Sequence, residues 1–120
     1  MTARKIVHVE IPAADKEAAG EFYRQVFGWE YRTLTEPVSY TTFMTGNLGG
    51  GYVDLERVKP GDVLVYIDSD DIDADLARIN AAGGQTLVPK MEVPDIGWLA
   101  VFTDPTGNRL ALWTELNPPQ

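Results

Sequence analysis

An imidazole and a carboxylate form the clearest chemical pair in the chain. His8, the only histidine, and Glu10 lie two residues apart in Ile6-Val7-His8-Val9-Glu10-Ile11. The run is β-branched and alternating, so Ile6, His8 and Glu10 share one strand face. On an accessible face His8 could act as a general base or anchor a ligand. No nucleophile or oriented partner accompanies it in the sequence, and a hydrogen-bonded, chemically idle imidazole is the alternative. Cysteine is absent, which removes thiol nucleophiles, disulfides and zinc–thiolate sites. Gly46, Gly49, Gly50 and Gly51 are not a phosphate cradle, because Tyr52-Val53 follow where Lys and Ser/Thr are needed. They read as a twisted or bulged strand, or one that a ligand approaches closely. Asp68, Asp70, Asp71, Asp73 and Asp75 lack the Gly and terminal Glu of a calcium loop and read as a solvated helix N-terminus.

The elements that would position these groups are legible in order. Pro12 ends the first strand, and Asp15 caps a helix with Glu17 in its first turn. Ala18, Ala19, Phe22, Tyr23, Val26 and Phe27 recur at helical spacing, and Gly28 stops the helix. Strands follow at 29–34, 40–45 and 48–55, and Lys59-Pro60-Gly61 is a connector. The pattern then restarts. Val63 to Ile67 is a strand, Asp71 caps a helix bearing Ile72, Leu76 and Ile79, and Gly83-Gly84 stops it. Gln85 to Val88 is a further strand. Gly97 to Glu115 is a hairpin whose turn is Asp104-Pro105-Thr106-Gly107-Asn108, with Asp104 placed to bond the turn backbone. Asp15 to Gly28 and Asp71 to Gly84 span the same interval, so the chain reads as a duplicated β-α-β-β-β unit. Alternation puts Leu64 and Tyr66 on one face. In the last strand it puts Leu110 and Leu112 on one face, and Arg109, Ala111, Trp113 and Glu115 on the other. Trp98, beside Gly97, is expected to cover the mouth of the site.

Bulk properties narrow the partners. The chain has 120 residues, 44% hydrophobic and 23% charged, ordinary values for one globular domain. Ten Lys+Arg against eighteen Asp+Glu give a formal charge of −8 and a pI near 4.4. Such a surface repels phosphate backbones and anionic lipid, so neither nucleic acid nor membrane is an expected partner. The N-terminal residues have no signal-peptide apolar core, and no run is long enough to span a bilayer, so the expected location is cytoplasmic.

Three stretches carry a resemblance. His8-Val9-Glu10-Ile11 with Asp15, Phe22-Tyr23 through Phe27-Gly28-Trp29, and Asp104-Pro105-Thr106-Gly107-Asn108 resemble the vicinal oxygen chelate family. Asp70-Asp71-Ile72-Asp73-Ala74 through Gly83-Gly84 adds the second helix. The family includes glyoxalase I, bleomycin and fosfomycin resistance proteins and extradiol dioxygenases. The resemblance implies an α+β fold of paired βαβββ modules, about 4–58 and 62–116, forming an incomplete eight-stranded barrel. Its cupped inner face would hold the ligand. In metal-dependent members four inward side chains, typically His or Gln and Glu, hold one divalent ion. They come from the first and last strands of each module.

Transferred residue by residue, that ligand set is depleted. His8 fills the first position, Leu64 the second-module equivalent, and Ala111 the position of the last-strand Glu. The remaining position falls within Leu48 to Tyr52, which has only Gly and apolar or aromatic residues. Tyr66 is a poor substitute, since a phenol rarely ionises near neutral pH. A divalent ion needs several N or O donors at about 2–2.5 Å, and one imidazole does not supply them. A shifted site would recruit Glu10, Glu56 or Glu115 around His8. The expectation is therefore a single-domain, metal-independent, small-molecule-binding protein without a cofactor, paired as a homodimer. His8, Glu10, Tyr66, Arg109 and Trp113 would be its ligand-binding residues. The alternative is a lyase, isomerase or dioxygenase related to glyoxalase I, using one divalent metal held by His8.

Overall fold

The computed structural model describes residues 2–56 and 59–116, so the expected module end at 58 lies outside the described residues. Ten elements follow in order: β1 (Ile6–Pro12), α1 (Lys16–Phe27), β2 (Glu30–Leu34), β3 (Tyr40–Met44), β4 (Gly49–Val53), β5 (Leu64–Asp68), α2 (Ile72–Ala81), β6 (Gln85–Val93), β7 (Gly97–Thr103) and β8 (Arg109–Glu115). This is the duplicated βαβββ order with eight strands and two helices. No described helix is long and apolar enough to cross a membrane.

Contacts divide the chain into two compact units. One runs from Val7 to Val65; the other combines the residues up to Ile6 with those from Tyr66 onward. In the first unit the strand order is β2-β3-β4-β1, and in the second β5-β8-β7-β6. Each unit pairs its first and last strands in parallel and its remaining strands antiparallel. β2 and β6 are edge strands, each bonded on one side only. β6 extends to Val93, beyond the expected Val88, with register shifts between Thr86 and Met91 that accommodate Pro89.

The local signals act as their chemistry requires. Asp15 accepts a hydrogen bond from the Ala18 amide at 3.0 Å, and Asp71 one from Ala74 at 3.1 Å. Gly28 closes α1 in the left-handed region at φ 75°. In the β7–β8 turn Asp104 Oδ1 accepts from the amides of Thr106, Gly107 and Asn108 at 2.9–3.0 Å. The Asn108 side chain donates to Oδ2 at 3.0 Å, and these bonds hold the Asp104 carboxyl below its ordinary pKa.

Each helix covers one face of its own sheet. Ala13, Phe43 and Tyr52 centre the first core, with Ala19, Tyr23, Trp29 and Tyr31 around them. Its rings form a continuous pile: Trp29 on Phe43 at 5.2 Å, Phe43 on Tyr52 at 4.9 Å and Tyr52 on Tyr23 at 5.8 Å. Tyr52 is 1% exposed, and its hydroxyl has no hydrogen-bond partner among the described residues. Burial pushes its pKa up to about 12. The second core gathers Ile72, Leu76, Ala100, Phe102 and Leu112.

Two expectations are corrected here. Trp98 does not cover a cup mouth. It shares β7's helix-side face with Ala100 and Phe102, packs on the second core, and carries Lys90 Nζ 4.8 Å from its ring centroid. The acidic run is not uniformly solvated either, because Asp75 is buried. It takes two hydrogen bonds from the Arg4 guanidinium, at 2.8 and 3.1 Å, one from Ser69 Oγ at 2.6 Å, and one from Arg78. Arg4 foremost, with Ser69 and Arg78, holds the Asp75 carboxyl well below the usual carboxylate range.

Candidate functional site

Strand register determines what the open face of the first unit displays. His8 pairs with Gly49 and Glu10 with Gly51 across β1–β4. Across β3–β4, Thr42 pairs with Gly51 and Met44 with Gly49. His8, Glu10, Tyr40, Thr42 and Met44 therefore share the face opposite α1, as alternation predicted for His8 and Glu10. β4 contributes no side chain at Gly49 or Gly51; Tyr40 occupies the space at Gly51, and the Met44 sulfur lies beside Gly49. A Cβ on Gly51 would overlap the Tyr40 hydroxyl and ring.

The Tyr40 hydroxyl lies between the two predicted groups. It donates to Glu10 Oε2 at 2.7 Å and stands 2.8 Å from His8 Nε2. The phenol has one proton, and a carboxylate can only accept, so that proton goes to Glu10. His8 Nε2 must then donate to the phenol oxygen, which assigns the Nε2–H tautomer. Glu10 is 3% exposed and His8 half-buried. Burial lowers the His8 pKa, and the Glu10 carboxylate offsets part of that effect. The imidazole is consequently neutral at neutral pH. The result is a directional hydrogen-bonded chain, His8 to Tyr40 to Glu10, fixed from two strands, with a third leaving the gap it fills.

The second unit brings Tyr66 and Trp113 together. Tyr66 is buried and Trp113 half-buried, their ring centroids 6.5 Å apart at 81°. Glycine again makes the room: a Cβ on Gly97 would meet Trp113 Cζ2 at 2.8 Å and Cη2 at 3.0 Å. Arg109 begins β8 on the Trp113 side of the strand and is exposed. Tyr40 is the residue that sequence reasoning missed. Its signal was present as a run of glycines beside a strand bearing His and Glu.

At the positions expected to hold a divalent ion, Leu64 and Ala111 have no donor atom and both are buried. Gly49 and Gly51 have no side chain, while Glu56 and Glu115 are exposed. His8 and Glu10 both spend a donor atom on Tyr40. Among the described residues no group of three or more His, Cys, Asp or Glu side chains could hold a metal. This donor set does not fit a divalent ion.

A family model described as the Glyoxalase/Bleomycin resistance protein/Dioxygenase superfamily matches residues 5–112. The chain belongs to that superfamily. Among superfamily relatives, CFP32 of Mycobacterium tuberculosis, a glyoxylase by name, is 31% identical over 113 residues, 88% of this chain and 43% of CFP32. The anthracycline biosynthesis protein DnrV of Streptomyces peucetius is 29% identical over 122 residues, 87% of this chain and 44% of DnrV. The chain thus spans less than half the length of either relative. The fold is shared with Streptomyces coelicolor methylmalonyl-CoA epimerase, solved as a single-residue variant in complex with 2-nitronate-propionyl-CoA. That likeness has a TM-score of 0.71 at 19% identity and covers 99% of each chain. At such identity it shows the superfamily fold alone.

Proposed function

We propose that the chain binds a small organic molecule without a metal, on the strand face where His8, Tyr40 and Glu10 meet. The observation that carries this reading is the Tyr40 hydroxyl seated between His8 Nε2 and Glu10 Oε2. His8 and Glu10 each bond a phenol and have no third His, Cys, Asp or Glu with them among the described residues, whereas a preorganised polar group beside exposed Met44 suits an uncharged, hydrogen-bonding ligand. Tyr66, Trp113 and Arg109 are proposed as ligand contacts on the strands of the second unit. The net charge of −8 disfavours polyanionic ligands. Cysteine-free composition suits a reducing compartment, and the cytoplasm is the proposed location.

The kinship with DnrV makes an anthracycline, a planar hydroxylated aromatic, a suitable first probe. Melting temperature and tryptophan fluorescence would be followed against a library of such aromatics, with Tyr40→Phe and Trp113→Phe in parallel. Saturable stabilisation by at least one aromatic, weakened in both variants, is expected. No stabilisation by any member would end the proposal. A metal-dependent lyase, isomerase or dioxygenase is the second reading, favoured by the glyoxylase name of CFP32. It requires a stoichiometric Ni, Zn, Mn or Fe in protein purified without chelator, lost on His8→Ala.

A further inference from the structure

α1 carries more apolar surface than its own sheet covers. Gly20 is buried, and Ala19 and Tyr23 pack into the first core. Yet Phe22, Val26 and Phe27 are 55%, 56% and 60% exposed. Ala18, Phe22 and Val26 recur every fourth residue and line up as one stripe on the solvent side. The duplicated helix provides an internal control. With the N-caps Asp15 and Asp71 aligned, Phe22 corresponds to Arg78, Val26 to Ala82 and Phe27 to Gly83. Every other exposed residue of α2 is Asp73, Ala74, Ala77, Asn80 or Ala81. One copy of the unit thus has a polar, small-residue outer helix face; the other has large apolar residues at the same places.

We propose that this stripe packs on the same stripe of a second copy of the chain, the two α1 helices antiparallel about a two-fold axis near Phe22. The stripe is self-complementary in that arrangement. Ala18 of each copy faces Val26 of the other, small against large, with the two Phe22 rings at the centre. Charge agrees with the geometry. Lys16, Glu17, Glu21 and Arg24 make α1 neutral within a chain of −8, so two copies can approach here without strong repulsion. Glu21 and Arg24 pair within the helix and both remain 41% exposed. At about 100° per residue Glu21 and Arg24 lie about 100° and 160° around the helix from Phe22, so their pair stays outside the seam.

Sedimentation velocity of the full chain, from low to high micromolar, tests this. A concentration-dependent dimer is expected. Phe22→Glu should leave a folded monomer at every concentration, with the parent's circular dichroism spectrum and a melting temperature that no longer depends on concentration. The absence of cysteine allows a clean trap. Ala18→Cys and Val26→Cys proteins, mixed and oxidised, should cross-link to each other. Ala18→Cys alone should not, since the two positions lie about 12 Å apart along antiparallel axes. A wild-type monomer at all concentrations, a dimer that survives Phe22→Glu, or an Ala18→Cys homodisulfide would each overturn the proposal.

Discussion

Removing one oxygen atom from Tyr40 probes the centre of the first unit's open face. In Tyr40→Phe the ring remains, but His8 Nε2 and Glu10 Oε2 lose the group that stands 2.8 and 2.7 Å from them. A neutral hydrogen bond contributes about 1 kcal/mol and one to a carboxylate about 1.5–3 kcal/mol, giving a loss of about 2.5–4 kcal/mol. Water cannot readily repair it, because Glu10 is 3% exposed. For a chain of 120 residues the unfolding entropy is about 0.25 kcal/mol per kelvin, so the melting temperature should fall by about 10–16 °C. Gly51→Ala attacks the same bonds from another strand, since the new Cβ would overlap the Tyr40 ring and evict it. The two changes therefore share one loss, and the double variant should fall short of their sum by about 2 kcal/mol. Urea unfolding of the four proteins measures the cycle. Strict additivity, or a Tyr40→Phe protein within about 0.5 kcal/mol of the parent, would refute the reasoning.

Other expectations are independent of that cycle. Tyr52→Phe deletes a buried hydroxyl without a partner among the described residues and keeps the stacked ring, so it should raise stability by about 1–3 kcal/mol in urea unfolding; a loss would mean that the hydroxyl is bonded. His8, followed by NMR as the only imidazole, should titrate below about 6.5, and lower still in Glu10→Gln, because the carboxylate raises its pKa. The folded state binds the His8 proton more weakly than the unfolded chain. Its contribution to stability is thus complete above about pH 6.5 and lost as pH falls through the folded pKa. Asp75 acts in the same sense lower down: its stabilisation is present above about pH 4 and lost on further acidification. Asp75→Asn should cost about 2–3 kcal/mol at neutral pH and flatten that acid limb, as acid-titrated circular dichroism would show.

What the sequence disclosed was local in origin. Asp15 with Gly28, and Asp104 through Asn108, form their caps and turn from bonds within a few residues, so residue type and order were enough. The shared face of His8 and Glu10 needed only a period of two. Tyr40 required more. It bonds residues 32 and 30 positions away, across the gap left by Gly51, and only the register of β1, β4 and β3 makes that gap visible. Asp75 was misread among solvated aspartates because the guanidinium that buries it lies 71 positions earlier. Trp98 was legible: its alternation with Ala100 and Phe102 already assigned it to the helix side, and the adjacent loop obscured that assignment.

Arg4 has a consequence for how the fold is completed during synthesis. Its guanidinium bonds the Asp68 carbonyl and the Asp75 carboxylate, and the Lys5 carbonyl accepts from the Asp68 amide. Arg4 leaves the ribosome well before its partners, which are made 64 and 71 residues later. The segment ahead of β1 must wait, unfastened, until α2 exists. A sequence change around Arg4 is thus felt at β5 and α2, more than sixty residues further along.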